Sequence, residues 1–191
     1  MRKLWMFVGL LAVNPELAFM TRELKAVIAA EENAVNQDEV YSRRALAEGY
    51  PGMGRLFHAV ALSEFIQSEN HKAALGVIGG RLRRVVLDPV RVSGTLENIG
   101  RAAAAESRMR LMLGSEGLER VRRSLQDVVY QAFVFSRAAG LEHEKLLAWG
   151  VGGVGDWDYY LSRISGKILL VRRGENSPGP VGFTDDYFLI R

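Results

Sequence analysis

Two glutamates interrupt apolar helical faces, and this feature constrains the fold more than any other in the sequence. Read at helical spacing, one face carries Phe57, Val60, Ala61, Glu64, Gln67, Ser68 and His71. An earlier face carries Leu24, Val27, Ile28, Glu31, Ala34 and Val35. An ionised carboxylate in a helical core costs several kcal/mol unless it is paired, protonated or bound to a metal. The two glutamates therefore predict a present or former site in the core.

The composition excludes several kinds of site. The 191-residue chain has no cysteine, which rules out disulfides, iron–sulfur clusters and thiolate zinc sites. Its three histidines also limit imidazole-rich metal sites. Hydrophobic residues make up 48% and charged residues 25%, which is typical of a soluble globular protein. The net charge of +3 is too small to favour nucleic acid as a partner.

The sequence begins with a short basic and apolar stretch. Residues 1–3 include an arginine and a lysine, and residues 4–13 are mainly apolar. This pattern is typical of a signal peptide, but no convincing small-x-small cleavage site follows. The stretch is also too short for a transmembrane helix, which needs about 20 residues. We therefore favour an apolar N-terminal arm over residues 1–20, packed on the body or on a partner. We also expect a cytoplasmic protein without a transmembrane span.

The rest of the chain is predicted to be mainly α-helical. Turn and cap signals delimit four helices, over about 21–49, 53–77, 95–113 and 118–149. A connector over 81–94 is long enough to cross the end of a bundle, and a glycine hinge is predicted over 150–158. Short β-type runs follow in the tail, 159–191. Four long helices, a crossover and inward-facing acids are typical of a ferritin-like four-helix bundle, here over 21–149, with a small β-rich C-terminal appendage.

The sequence resembles the rubrerythrin family from about residue 21 to the end of the tail. The matching bundle segments are Ala-Ala-Glu-Glu at 29–32, then 41–50, 56–57, 61–71, Thr-Leu-Glu-Asn at 95–98, and Ala-Glu at 105–106. In the tail, 160–166 and 179–188 resemble the two knuckles of a rubredoxin-like domain. The resemblance implies a ferritin-like bundle that reduces peroxide at a di-iron site, with electrons supplied through a tetrathiolate iron in the tail.

The thiolate positions of the tail are lost. By the resemblance they correspond to Ser162, Ser165, Gly179 and Gly182. Serine is a hard oxygen donor and glycine has no side chain, so we expect no iron in this degenerate rubredoxin-like domain (159–191). The centre through which electrons enter in the family is therefore missing.

The di-iron ligands of the bundle are also depleted. By the family pattern, Glu31, Glu64 and Glu106 are retained. The remaining positions carry Gln67, Met109, Ser136 and Ala139. An amide oxygen is a poor replacement for imidazole on ferrous iron, so we expect no high-affinity di-iron site.

Two kinds of partner remain open to the retained carboxylates. We expect pairing with arginines that enter the core, the nearest in sequence being Arg108 and Arg110. The alternative is a single metal ion, for which the residual candidates are Glu31, Glu64, Gln67 and Glu106. His143 is a possible displaced ligand, although hydrogen bonding in the core is the expected role of both His71 and His143.

These observations favour a rubrerythrin-like protein that has lost its redox centres and acts as a non-catalytic structural or binding subunit. This hypothesis includes no cofactor and no catalytic residue. The alternative is a residual peroxidase or oxidase that holds one iron or manganese ion and receives electrons from another donor.

We expect an oligomer, at least a dimer. Fully burying even four apolar side chains of the arm is worth on the order of 6–12 kcal/mol before ordering costs, enough to drive association. The glycine hinge would also let the tail reach a neighbouring chain rather than its own bundle.

Light scattering at micromolar concentration should therefore give at least twice the mass of one chain. The mass of a single chain would contradict this prediction, and a mass far above a dimer would indicate an open head-to-tail assembly.

Overall fold

The computed structural model of the chain describes residues 14–112, 114–150, 157–175 and 186–190. Its elements are α1 (Pro15–Ala47), α2 (Pro51–Val77), α3 (Thr95–Met112), α4 (Ser115–Arg123), α5 (Asp127–Gly150), β1 (Trp157–Ser162), β2 (Ile168–Arg172) and β3 (Tyr187–Ile190). The predicted helical bundle with a small β-rich tail is confirmed. Within the described residues, no helix combines the length and apolar character needed to cross a membrane.

Helix α1 begins earlier than predicted. Asn14 caps it, because its side-chain oxygen accepts hydrogen bonds from the backbone N–H groups of Glu16 at 2.9 Å and Leu17 at 3.4 Å. Pro15 then occupies the first turn, where its missing N–H is not needed. The predicted boundary at residue 20 therefore differs from the observed one. Residues 1–13, the rest of the predicted arm, lie outside the described residues.

The predicted fourth helix is two helices. Helices α4 and α5 are separated by residues 124–126, where Leu125 has a φ of 57°. This left-handed conformation is unfavourable for a leucine and cannot continue an α-helix. The apolar pattern runs through the break, since Val121 in α4 and Val129 in α5 are both buried in one cluster. Periodicity alone therefore could not reveal the interruption.

Two apolar clusters lie towards opposite ends of the bundle. One contains the early part of α1, the end of α2 and the start of α5, with Met20, Leu24, Ile28, Leu75 and Phe133 among its members. The other contains the late part of α1, the start of α2, the end of α5 and the tail. The stretches of α1, α2 and α5 between these clusters carry most of the buried polar side chains.

The tail is a three-stranded antiparallel sheet in the order β2-β1-β3. Its side chains Tyr159, Leu161, Ile168 and Ile190 are buried in the second cluster together with Phe57 of α2. The tail thus packs on its own bundle. Exchange of tails between neighbouring chains stays a prediction, and it would use these same contacts.

The packing of the tail on α2 predicts unequal effects of two truncations. Leu161→Ala should lower the free energy of unfolding by about 2–5 kcal/mol, because truncation of this fully buried side chain leaves a cavity in the core. The Ile164 side chain, three residues away, is 45% exposed. The free energy of unfolding of Ile164→Ala should therefore stay within about 0.5 kcal/mol of the wild-type value. Urea denaturation of both variants checks this. Equal stabilities would show that the tail does not share the bundle's core.

Candidate metal centre

Polar side chains fill the middle of the bundle in two layers. The first layer contains Glu31 of α1, His71 of α2 and Ser136 of α5. The second layer contains Asp38 of α1, Glu64 of α2, Glu106 of α3 and His143 of α5. On α1, α2 and α5 the two layers are seven residues apart, which corresponds to two helical turns or about 10 Å. All of these side chains except that of Ser136 are buried.

In the first layer both oxygens of Glu31 have hydrogen-bond partners, while His71 Nε2 is buried without one among the described residues. His71 Nδ1 lies 2.9 Å from the Glu31 carboxylate, and the Ser136 hydroxyl donates to Glu31 Oε1 at 3.1 Å. The His71 ring also packs against Phe133, with ring centroids 4.9 Å apart. Burial raises the pKa of Glu31, although the neighbouring His71 opposes this rise. One carboxylate is thus matched by one imidazole and one hydroxyl.

The second layer brings three helices together at one imidazole. His143 Nδ1 lies 3.1 Å from Glu64 Oε1 and 3.1 Å from Glu106 Oε1. One nitrogen or oxygen from each of these residues lies within 4.8 Å of the other two. His143 Nε2 lies on the other side of the ring, 2.8 Å from the Ser63 hydroxyl of α2. The arrangement has the composition and the spacing of a metal-binding group.

The second layer carries more negative than positive groups. Burial raises the pKa of Glu106 to about 7, and the facing Glu64 carboxylate adds to the rise. Burial also raises the pKa of Asp38 well above its usual range, helped by Glu106 and Glu64. For His143, burial disfavours the charged form, but Glu106 and Glu64 outweigh it and raise the pKa well above its usual value. The layer therefore attracts protons or another cation.

Three carboxylate oxygens of the second layer have no hydrogen-bond partner among the described residues. They are Asp38 Oδ1, Glu64 Oε2 and Glu106 Oε2, and all three are buried. An unsatisfied buried polar atom costs about 1–3 kcal/mol, more when it is charged. Glu106 Oε2 faces the small residue Gly140, where a Cβ atom would lie 3.5 Å from it. These free oxygens are the groups that a bound cation would satisfy.

The predicted arginine partners are wrong. Glu64 and Glu106 pair with His143, and Glu31 pairs with His71. Arg110 instead donates to Glu144 of α5 at 3.0 Å, on the outside of the bundle, and Arg108 lines a groove between α1 and α3. The basic groups that contact the carboxylates are thus the two imidazoles and not these two arginines. Both histidines form hydrogen-bond contacts in the core, with His71 Nε2 left without a partner among the described residues.

The other residues of the family pattern do not join the second-layer group. Gln67 turns to the tail, where its Nε2 donates to the Ser165 carbonyl at 3.1 Å. Met109 lines a small cavity of about 20 Å³ together with Phe133 and Ser136. Ala139 is buried, and its side chain has no polar atom that could bind a metal. On α5 the donor that joins the group is therefore His143, seven residues beyond Ser136.

Residues 160–166, predicted to resemble the first rubredoxin-like knuckle, contain a turn. Ser162 is buried, and its Oγ accepts hydrogen bonds from the backbone N–H groups of Ile164 at 3.2 Å and Ser165 at 3.0 Å. The Ser165 hydroxyl also donates to Ser162 Oγ at 3.0 Å. Gly179 and Gly182, the other two lost thiolate positions, lie outside the described residues. These hydrogen bonds hold the described half of the knuckle together.

Sequence reasoning missed two members of the site. Asp38 follows Glu31 by seven residues and therefore lies on the same face of α1, a signal that was available in the sequence. Ser63 had no such signal, because its role depends on α5 and on the tail, which are distant in sequence. Both residues are buried polar groups between the apolar clusters.

The raised pKa values predict that the metal-free protein is most stable at mildly acidic pH. Between the unfolded value of 4.5 and the folded value of about 7, Glu106 keeps its proton only when folded. The free energy of unfolding should therefore fall as pH rises through this window, by at most about 1.4 kcal/mol per pH unit for this group. Asp38 and His143, whose pKa values are also raised, act in the same direction.

Urea denaturation between pH 5 and pH 8, with a chelator present, measures this dependence. Glu106→Gln should reduce the slope of unfolding free energy against pH between pH 5 and 7. Glu69→Gln, at a side chain that is 53% exposed, should leave the slope unchanged. Stability that increases from pH 5 to pH 8 would contradict the prediction.

Comparison with known proteins supports the architecture. No family model matches the sequence, and no curated protein matches it. Solved structures of nigerythrin, a rubrerythrin-family protein, are similar to this chain in its mixed-valence state (20% identity, TM-score 0.73), its partially reduced state (20%, 0.72) and its fully reduced, all-ferrous state (21%, 0.74). Each comparison covers 89% of this chain and 86% of the nigerythrin chain. A ferritin-like bundle followed by a small sheet is thus shared along nearly the whole chain, and the protein has a rubrerythrin-like fold.

Proposed function

We propose that the protein is a rubrerythrin-like metalloprotein that binds one iron or manganese ion at Glu64, Glu106 and His143. One observation carries the proposal: the buried Nδ1 atom of His143 lies 3.1 Å from an oxygen of each glutamate. With ligand bonds of about 2.1 Å, neighbouring ligands of an octahedral ion are about 3 Å apart. The two glutamate oxygens are therefore spaced from the imidazole like neighbours in one coordination sphere.

Asp38 is proposed as a further donor. Its Oδ1 is buried without a hydrogen-bond partner, and the Glu64 and Glu106 carboxylates act on its pKa. With Asp38, each of the helices α1, α2, α3 and α5 contributes one donor. Placing a cation there would offset the excess negative charge of the layer.

The donor set fits one ion rather than two. In the part of the chain that the structure describes, only Glu64, Glu106 and His143 form a group of three metal-binding side chains. Glu31 of the first layer is already matched by His71 and Ser136. A single ion therefore replaces the expectation of no cofactor.

The chemistry of the donors favours iron or manganese. Carboxylate oxygens suit manganese and other hard cations, whereas imidazole also suits iron. Ferrous iron generally binds more tightly than Mn²⁺ to a given set of such ligands, so metal availability would decide which ion is found. The all-ferrous state of one similar nigerythrin structure supports iron.

The residues around the proposed ion suit a redox role. A bound iron or manganese ion would supply redox chemistry towards peroxide, the substrate class that the rubrerythrin resemblance implies. Glu106 has a pKa of about 7 in the metal-free protein, so its proton can be gained or lost near neutral pH. The apolar clusters on both sides exclude bulk water from the layer. Electrons would come from a separate redox donor, because serines occupy the described thiolate positions of the tail.

The second candidate function is a non-catalytic structural or binding subunit. The specific observation in its favour is the Ser162 turn, which is held by hydrogen bonds in place of a metal cross-link. In this case the fold is retained for its contacts, and the core carboxylates need only protons and histidines. Turnover of the metal-loaded protein separates the two candidates.

Metal analysis tests the proposed site directly. Protein loaded anaerobically with Fe²⁺ or Mn²⁺ should bind one equivalent per chain and gain about 2.7 kcal/mol of stability at a free-ion concentration 100 times Kd. Glu64→Gln and His143→Ala should lose both effects. Glu31→Gln is the matched control, a buried glutamate of the first layer, and should keep one equivalent. Two equivalents in the wild type, or full binding by His143→Ala, would refute the single-ion site.

Peroxide consumption tests the redox role. We expect iron-loaded protein to reduce hydrogen peroxide at a rate that depends on an added reductant, because the tail provides no thiolate centre in its described part. Glu31→Gln should retain this activity, and His143→Ala should lose it together with the metal. One equivalent of bound metal without turnover would support the non-catalytic subunit instead.

A further inference from the structure

The tail contacts the bundle through carbonyl groups of its turn. Three polar side chains on one face of α2 donate to three successive carbonyls of residues 162–166, here called the tail turn. Ser63 donates to Gly166 at 2.5 Å, Gln67 to Ser165 at 3.1 Å and Asn70 to Ile164 at 2.8 Å. Ser63 is the one that also contacts the second layer, through His143.

The contact with Gly166 determines the position of a proton on His143. A carbonyl oxygen only accepts hydrogen bonds, so the Ser63 hydroxyl must use its single hydrogen to bond Gly166. Ser63 Oγ can then only accept from His143, which requires a hydrogen on Nε2. When the ring is neutral, the lone pair of Nδ1 then faces Glu64 and Glu106, and when the ring is charged, Nδ1 donates its hydrogen to them. The short distances from Nδ1 to the two carboxylate oxygens are favourable only when a proton or a metal ion lies between these atoms.

We infer that Ser63 is a positioning residue for His143, and that the tail turn keeps Ser63 in this role by accepting its only hydrogen. The tail thereby presets the tautomer in which Nδ1 is available to a metal. Metal-bound histidines commonly donate their other N–H to such a partner, which fixes the ring and raises its basicity. The inference rests on the proposed function only where metal affinity is concerned, since the hydrogen on Nε2 is required in the metal-free protein as well.

The tail turn is shaped for this contact. Gly166 has a φ of 70°, which side-chain-bearing residues rarely adopt. A Cβ atom there would lie 2.8 Å from Gln67 Nε2 and 3.2 Å from Ser63 Oγ. Gly166→Ala should therefore move the carbonyl away from Ser63 without changing any side chain of the second layer.

Protonation of Nε2 is measured by NMR of the metal-free protein labelled with ¹⁵N-histidine, with His58→Asn and His71→Asn used to assign the three rings. We expect Nε2 of His143 to stay protonated across the pH range in which the protein is folded. In Ser63→Ala the Nε2 proton should lose its hydrogen bond and exchange faster with water. Ser68→Ala is the matched control, because this buried serine of α2 has no hydrogen-bond partner for its hydroxyl among the described residues. An unprotonated Nε2 in the wild type would overturn the inference.

Metal affinity gives the second readout, by calorimetric titration with Mn²⁺. Loss of a residue that orients a metal-binding histidine typically weakens affinity 10- to 100-fold, and we expect this range for Ser63→Ala and Gly166→Ala. Ser68→Ala should bind like the wild type. If Ser63→Ala fails to fold, Gly166→Ala carries the test, and unchanged affinity in the folded variant would overturn the inference. Absence of Mn²⁺ and Fe²⁺ binding by the wild type, with Nε2 protonated as expected, would refute the proposed metal site and leave the positioning role intact.

Discussion

The buried carboxylates must have positive charge or hydrogen-bond donors beside them, and the centre of the bundle is organised around this requirement. Separated from water, each ionised carboxylate is unfavourable unless a partner lies within hydrogen-bond distance. His71 connects α1 to α2, and His143 connects α2 and α3 to α5. The two imidazoles therefore tie all four long helices together at their middle, where apolar packing is interrupted.

The two layers differ in how completely their charge is matched. In the first, Glu31 faces one imidazole and one hydroxyl, so its two oxygens are satisfied. In the second, Glu64 and Glu106 share His143, Asp38 lies near them, and one oxygen of each acid has no hydrogen-bond partner in the described structure. The same heptad spacing thus produces one layer whose carboxylate is fully paired and one layer with a deficit of cations. A proton on Glu106 reduces this deficit, and a divalent ion would remove it.

The sequence predicted the helices well because each buries a continuous apolar stripe, and the period of that stripe is visible in the residues alone. It failed at residues 124–126 because the stripe continues across a break set by one left-handed residue, Leu125. The carboxylates of the site were predicted from their place on apolar faces. Their partners were assigned to arginines, because sequence shows which face a residue occupies but not which helix packs against it. Ser63 was missed for the same reason.

The tail depends on the bundle in a way that a metal-containing knuckle does not. A metal cross-link contributes folding free energy within the knuckle itself, whereas here the described turn relies on Ser162 hydrogen bonds and on the burial of Leu161 and Ile168 against α2. The dependence also runs in the other direction, since the tail covers the apolar cluster around Phe57 and fixes Ser63. Removing the tail would expose that cluster and release His143 from its oriented state. A tail without thiolates therefore still has a physical reason to persist, because the core and the proposed metal centre are both completed by it.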